Sequence, residues 1–274
     1  MNDIRYRTGV VLSGGGARGF AHLGFLKALN EAGIFPDVIS GTSAGALAGV
    51  LYADGYTPEE ILKITNTGSR FDLLRPALPR EGLLQISGIT KILRAHLRAK
   101  TFSELKTPLF VAATDINNAR VVYFSDGDLV DTVIASSSIP VLFPPVKLGE
   151  FYYVDGGVLD NLPIRPIENI CHVRIGSFVN QVGYIEKITG LMSLAERTFM
   201  VGMSKELFEK AGKFDLFVAP DELRNYRILD TMKASEMFDV GYTATLEKLK
   251  DFSIEKVLEQ KMSSDPSRTP SIPK

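Results

Sequence analysis

Apolar positions along the chain switch between two periods, and the switches mark its elements. Residues Gly9 to Ser13 form a short β-branched apolar run that breaks into Gly14-Gly15-Gly16. From Phe20 to Ala32 the apolar residues Phe20, Leu23, Phe25, Leu26 and Leu29 recur at helical spacing, and Gly33 supplies a stop. Asp37-Val38-Ile39-Ser40 is long enough only for a buried strand, and the small residues Ala44 to Ala53 read as a second helix. Strand, glycine turn and helix, twice in succession, predict the start of a parallel α/β sheet.

The pattern continues less regularly. Thr57-Pro58-Glu59-Glu60 predicts a helix start, with a hydroxyl cap, proline at the first position and acids in the first turn. Residues 68–99 carry Leu73, Leu74, Leu78, Leu83 and Leu84 among prolines, then an amphipathic helix marked by Ile89, Ile92, Leu93 and Leu97. Those leucines make the segment a candidate cover or interfacial lip over a site. Strands are predicted at Leu109–Ala113, Val121–Phe124, Phe151–Val154 and Phe214–Val218, and helices over Ile188–Ala211 and Ser235–Leu249. The Ser/Pro-rich end, 263–274, is expected to be a disordered tail behind a single domain of residues 1–262.

Composition narrows the class of function. With 45% apolar and 23% charged residues, 274 residues can bury a full core without disulfides or metal. Lys and Arg number 31 against 32 Asp and Glu, so the net charge of −1 gives no electrostatic reason to expect nucleic acid. Three histidines (His22, His96, His172) and a single cysteine, Cys171, argue against a zinc site of the usual ligand types, and no metal or cofactor is expected. A lone cysteine also points to a reducing compartment. The longest uncharged stretch, Val38 to Ala53, has sixteen residues interrupted by Gly41, Gly45 and Gly49. That is shorter than the ~18–20 apolar residues of a spanning helix. Met1 to Arg7 lacks the apolar region of a signal peptide, so the expected location is cytoplasmic, with peripheral membrane contact left open.

Two glycine turns carry the candidate chemistry. Gly14-Gly15-Gly16-Ala17-Arg18-Gly19 fits G-x-G-x-x-G between a strand and a helix, the dinucleotide-binding spacing. The acid that should end the second strand and bind a ribose is absent, since Asp37 stands at its start. No Lys-Ser/Thr pair follows the glycines either, so a phosphate loop of the Walker kind is not formed. The second turn, Gly41-Thr42-Ser43-Ala44-Gly45, has the G-x-S-x-G spacing of a nucleophile elbow. Glycines two residues either side allow a strained serine with positive φ, whose hydroxyl sits at a helix N-terminus. A plain glycine-rich packing helix is the competing reading.

Ser43 then needs oxyanion donors and a base. Three successive glycines, Gly14, Gly15 and Gly16, leave backbone N–H groups free to converge on one acceptor, with Gly19 at the foot of the following helix. Arg18 is a candidate for neutralising charge beside them, or a structural ion-pair partner. Val154-Asp155-Gly156-Gly157 places a carboxylate at the end of an apolar strand, with Gly156 and Gly157 permitting close approach. A turn-forming Asp is the alternative. Among the histidines His22 alone lies near the loop in sequence.

This combination resembles the patatin-like phospholipases: G-G-G-x-R-G at Gly14–Gly19, G-T-S-A-G at Gly41–Gly45, and D-G-G at Asp155–Gly157. Ala135-Ser136-Ser137-Ser138-Ile139-Pro140 with Phe143-Pro144-Pro145, and Asn161-Leu162-Pro163 after Asp155, are similar to further blocks of that family, in the same order. The resemblance implies an α/β/α three-layer fold with a mainly parallel sheet, and a Ser43–Asp155 dyad without histidine. It also implies hydrolysis of lipid acyl esters, with a lipid or ester substrate as the partner. A free Asp is a feeble base at pKa ~3.9, and desolvation under an acyl chain would strengthen it. Two other readings stay open: a nucleotide- or phosphate-binding module using Gly14–Gly19, and a non-catalytic lipid-binding regulator of the same fold. Head group, acyl length and oligomeric state are not legible.

Overall fold

The computed structural model describes residues 4–67, 75–76 and 84–263. In chain order the strands are β1 (Tyr6–Leu12), β2 (Val38–Thr42), β3 (Arg75–Pro76), β4 (Leu84–Gln85), β5 (Leu109–Asp115), β6 (Arg120–Phe124), β7 (Val146–Leu148), β8 (Phe151–Asp155), β9 (Cys171–Ser177) and β10 (Leu216–Val218). The helices are α1 (Phe20–Glu31), α2 (Ala44–Ala53), α3 (Pro58–Thr67), α4 (Ser87–His96), α5 (Leu129–Ser136), α6 (Gly190–Lys210), α7 (Ala234–Leu249) and α8 (Ile254–Ser263). The α/β expectation holds. Eight strands form one sheet in the order β10-β9-β1-β2-β5-β8-β7 with β6 also on β5, while β3 and β4 pair separately. From β10 to β5 the pairs are parallel; the β5–β6, β5–β8 and β8–β7 pairs are antiparallel.

Sequence-local rules account for many of the ends. Thr57 and Glu60 cap α3 reciprocally, Glu60 N donating to Thr57 Oγ1 at 3.2 Å and Thr57 N to Glu60 Oε2 at 2.8 Å. Asp37, the acid at the wrong end of β2 for a ribose, accepts from Thr8 N at 2.8 Å and so ties β1 to β2. Alternation on the central strands splits the core. Val10, Leu12 and Ile39 face the helices, whereas Val11 and Val38 pack under Leu162, Ile164, Ile167 and Phe178. Helices α1 and α7 cross closely, because a Cβ at Gly24 would overlap the Phe238 carbonyl and one at Gly241 the Ala21 carbonyl.

Several elements depart from the expectation. The expectation omits helix α5, strand β7, strand β9 and helix α8, although α8 sets Ile254, Val257 and Leu258 at helical spacing and β9 alternates Cys171, Val173 and Ile175 with His172 and Arg174. Helix α8 reaches Ser263, the first residue of the expected tail, and the rest of that tail, 264–274, lies outside the described residues. Of the expected cover over 68–99, residues 68–74 and 77–83, with Leu73, Leu74, Leu78 and Leu83, also lie outside them. The part that is described includes α4, whose Leu93 is buried against the core. No helix among the described residues is long and apolar enough to cross a membrane.

Candidate active site

Ser43 and Asp155 meet because two strands share one edge of β5. Strand β6 occupies one edge over Val111–Asp115. On the other edge β2 pairs in parallel up to Thr42 opposite Ala112, and β8 then arrives antiparallel with Asp155 opposite Ala113. The two strands therefore end head to head, and the residues that follow Thr42 and end β8 are forced together. Gly156 is needed there, since a Cβ would overlap the Ala112 carbonyl and lie 3.0 Å from Thr42 Cγ2.

At the end of β2 the chain turns sharply. Ser43 has φ 52° and ψ −118°, a backbone region that L-residues rarely adopt. A Cβ at Gly45 would overlap the Leu12 carbonyl, and one at Gly41 would lie 2.7 Å from the Gly45 carbonyl carbon. Ser136 fixes the turn: it accepts from Ser43 N at 2.9 Å and donates to the Ala112 carbonyl at 2.6 Å. In the sequence Ser136 is one serine of the Ala135–Pro140 block, and no local pattern marks it as a partner of Ser43.

Asp155 is fully buried. Its Oδ1 accepts from Gly157 N at 2.8 Å, while Oδ2 is buried without a hydrogen-bond partner. Burial pushes its pKa up to about 7, opposed by the neighbouring Ser43 hydroxyl and by the Gly157 N–H. The serine thus stands close enough to favour the carboxylate but is not locked in a formed hydrogen bond. Catalytic pairs commonly tighten only when substrate binds.

The glycine loop is less open than its sequence implies. Gly14 N donates to the Asn161 carbonyl at 3.1 Å, so it is not a free donor for an oxyanion. Arg18 also departs from a charge-neutralising role. Its buried guanidinium donates to the carbonyls of Tyr226 (2.8 Å from Nε) and Gln181 (2.6 Å from Nη1), and burial lowers its pKa to about 10. It ties the loop to two distant segments instead. Gly19 packs on Ala44, where a Cβ would come within 2.6 Å of that side chain. Gly16 opens a 3-10 turn and Ala44 opens α2, so neither N–H has an intrahelical acceptor. Both residues line, with Ser43, a cavity of about 160 Å³. Its other walls are mostly apolar side chains of α1 to α4 and the 139–143 and 228–229 segments, among them Leu47, Ala48, Leu51, Ile61, Phe143 and Ile228, with Thr65, Ser137 and Thr231 as the polar exceptions.

The histidines lie elsewhere. His22 is buried behind the loop, its Nε2 2.8 Å from the Ser13 carbonyl and its Nδ1 2.9 Å from Ser177 Oγ. A carbonyl can only accept, so Nε2 carries the proton and Nδ1 takes the Ser177 hydroxyl. Burial lowers its pKa to about 4, leaving it neutral. His172 stands near the start of β9, the opposite end of the sheet from Ser43, and His96 ends α4. Replacing all three by Gln is expected to lower the melting temperature, because Ser13 and Ser177 lose a buried partner at ~1–3 kcal/mol. Turnover per folded molecule should stay within about tenfold. A collapse of turnover in His22→Gln at unchanged melting temperature would make the imidazole the base. The Cys171 thiol, raised by burial to about 12, is no nucleophile.

Fold and turns together define an α/β protein organised around a strand–serine–helix turn that faces a buried carboxylate. The model of the patatin-like phospholipase family matches residues 10–167, and the chain belongs to that family. An uncharacterized NTE family protein of Mycobacterium bovis is 32% identical over 166 residues, 60% of this chain and 46% of that protein. The lysophospholipase nte1 of Emericella nidulans is 29% identical over 215 residues, 69% of this chain and 13% of that protein. The chain thus spans less than half the length of these relatives. VipD of Legionella pneumophila, at 17% identity, shares the fold with a TM-score of 0.53 over 93% of this chain and 67% of its own.

Proposed function

We propose that this protein hydrolyses acyl esters of lipids, with Ser43 as nucleophile and Asp155 as general base. The observation that carries the reading is the head-to-head meeting of a strained serine and a buried carboxylate at the mouth of an apolar cavity. Family membership and the likeness to a fungal lysophospholipase support the substrate class.

The acyl chain lies in the apolar cavity, which places the ester carbonyl at Ser43. Asp155 accepts the hydroxyl proton as Oγ attacks the carbonyl carbon. Charge on the tetrahedral oxygen falls to the N–H groups of Gly15, Gly16 and Ala44. Collapse breaks the ester bond, the proton passes to the leaving alcohol, and the acyl group remains on Ser43. Asp155 then takes a proton from water, the hydroxide carbon bond forms, and the acid leaves as the proton returns to Ser43. With the base near pH 7, kcat/KM should rise about tenfold per pH unit below about 7 and level above it.

The nucleotide reading gains nothing from the structure. Gly14 N, Ala17 N and the Arg18 guanidinium are already bonded to backbone carbonyls, and the adjoining cavity is apolar.

A fluorophosphonate probe and a series of acyl esters test the proposal. Ser43 should be labelled, and kcat/KM should rise with chain length. Ala48→Phe, which adds a ring to the cavity wall, should cut kcat/KM for long-chain esters by about tenfold or more while sparing the acetyl ester. Absence of labelling, or equal losses on both esters, would overturn the reading of a lipid acyl hydrolase.

A further inference from the structure

Five buried side-chain polar atoms among the described residues lack a hydrogen-bond partner, and three of them lie together: Asp155 Oδ2, Asn161 Oδ1 and Asn161 Nδ2. A Cβ at Gly157 would come 3.0 Å from both Asn161 Oδ1 and Asp155 Oδ1, so the carboxamide and the carboxyl group flank the same glycine. On its other side the carboxamide presses on Gly14: a Cβ there would overlap Asn161 Oδ1 and lie 3.3 Å from Ser43 Cβ. Carboxamide, nucleophile and base share one small volume.

The backbone around Asn161 is held from several directions. Asp160 N donates to the Gly156 carbonyl at 2.8 Å, and Thr42 Oγ1 to the Asp160 carbonyl at 2.9 Å. Gly14 N donates to the Asn161 carbonyl, and Ser40 Oγ to that of Pro163 at 2.7 Å. The Asp160 side chain is itself anchored by Tyr123 and by Lys210, whose Nζ is 2.6 Å from Oδ1. These bonds fix the backbone of Asn161, and its carboxamide packs against Gly14 and Gly157. A buried amide left unsatisfied destabilises the fold, a cost that an apolar residue of similar size would avoid. What uses such a group is a small polar molecule with two to four partners, and water is that molecule.

Resting on the dyad reading above, we infer that Asn161 is a catalytic residue for deacylation, holding the water that Asp155 activates. The water donates one proton to Asp155 Oδ2 and is held through its other groups by the Asn161 carboxamide, which turns an oxygen lone pair toward the acyl carbon on Ser43. As the C–O bond forms, the proton passes to Asp155. Collapse then breaks the acyl–Oγ bond, returns the proton to Ser43 and releases the carboxylic acid. Acylation needs no water, so Asn161 acts in the second half-reaction alone.

Asn161→Ala and Asn161→Ser are tested with a nitrophenyl ester and with the fluorophosphonate probe. The alanine variant should lose about tenfold or more in kcat and show a burst of nitrophenol approaching one equivalent, with the acyl group recovered on Ser43 by mass spectrometry. Its labelling rate should stay within about threefold of wild type, and the serine variant should fall between the two. A parallel fall in labelling and turnover, or a loss without acyl-enzyme accumulation, would overturn the role. Should neither variant fold, the wild-type protein decides. In methanol–water mixtures it should form acid over methyl ester beyond the ratio set by the bulk nucleophiles, and a product ratio that follows the bulk would overturn the inference. A wild-type protein that is not labelled at Ser43 would sink the dyad reading instead, so the two failures are distinguishable.

Discussion

Asp155→Asn is expected to lose at least ~10³-fold in kcat and, at pH 8, to melt several degrees above the wild-type protein. Both effects come from one burial. The amide keeps the shape and can still accept from Gly157 N, but it cannot take a proton from Ser43. Folding raises the Asp155 pKa from an ordinary carboxyl value of ~3.9 to about 7, so the charged form is disfavoured in the folded state. The stabilising contribution of this group is full below pH ~4 and is lost as pH rises through about 7. At 1.36 kcal/mol per unit that loss is on the order of 4 kcal/mol for a group without solvent exposure. Asparagine does not titrate. The gap in stability between variant and wild type should therefore open between pH ~4 and ~7 and stay constant above. Chemical denaturation at pH 4, 6 and 8 checks the sign. A variant that is less stable than wild type at pH 8 would show that Asp155 is held charged by partners, and a variant retaining a tenth of the activity would remove it as base.

Ser43→Ala is the second large effect: ester hydrolysis and fluorophosphonate labelling should both vanish while the fold persists. The change removes one oxygen. It leaves the Ser43 N–H bonded to Ser136 and keeps a residue of similar steric demand at φ 52°. The Ser43 hydroxyl also favours the ionised form of Asp155, so its removal should move the Asp155 titration further upward. Turnover on a short soluble ester, with melting temperature as the control, measures the outcome. More than a tenth of wild-type turnover would take Ser43 out of the nucleophile role.

Much of this site is written in short-range pattern. The glycine at each side of Ser43, the apolar run before it and the small residues after it are local steric requirements, so G-T-S-A-G announces a sharp strand-to-helix turn by itself. The Thr57–Glu60 cap of α3, the periodicity of α1 and the small-residue run of α2 are legible for the same reason. Each depends on residues within one or two turns of chain.

What the chain alone could not decide is set by pairing between distant segments. That Asp155 faces Ser43 follows from β2 and β8 dividing one edge of β5, and hydrophobic alternation says which face a residue takes but not which strand lies beside it. The loop glycines look alike in sequence, yet Gly14 is occupied by the Asn161 carbonyl while Gly16 opens onto the cavity. Arg18 reads as a charge beside the site until the carbonyls of Gln181 and Tyr226, more than 160 residues away, are seen to take its guanidinium. Asn161 is one more residue of a resembling block until burial deprives its carboxamide of partners. Sequence determined the turns and the candidate nucleophile because backbone sterics are local; the meeting of Asp155 with Ser43, the occupancy of the loop N–H groups and the asparagine beside them were decided by tertiary structure, because burial and hydrogen-bond partnership exist only once remote strands have met.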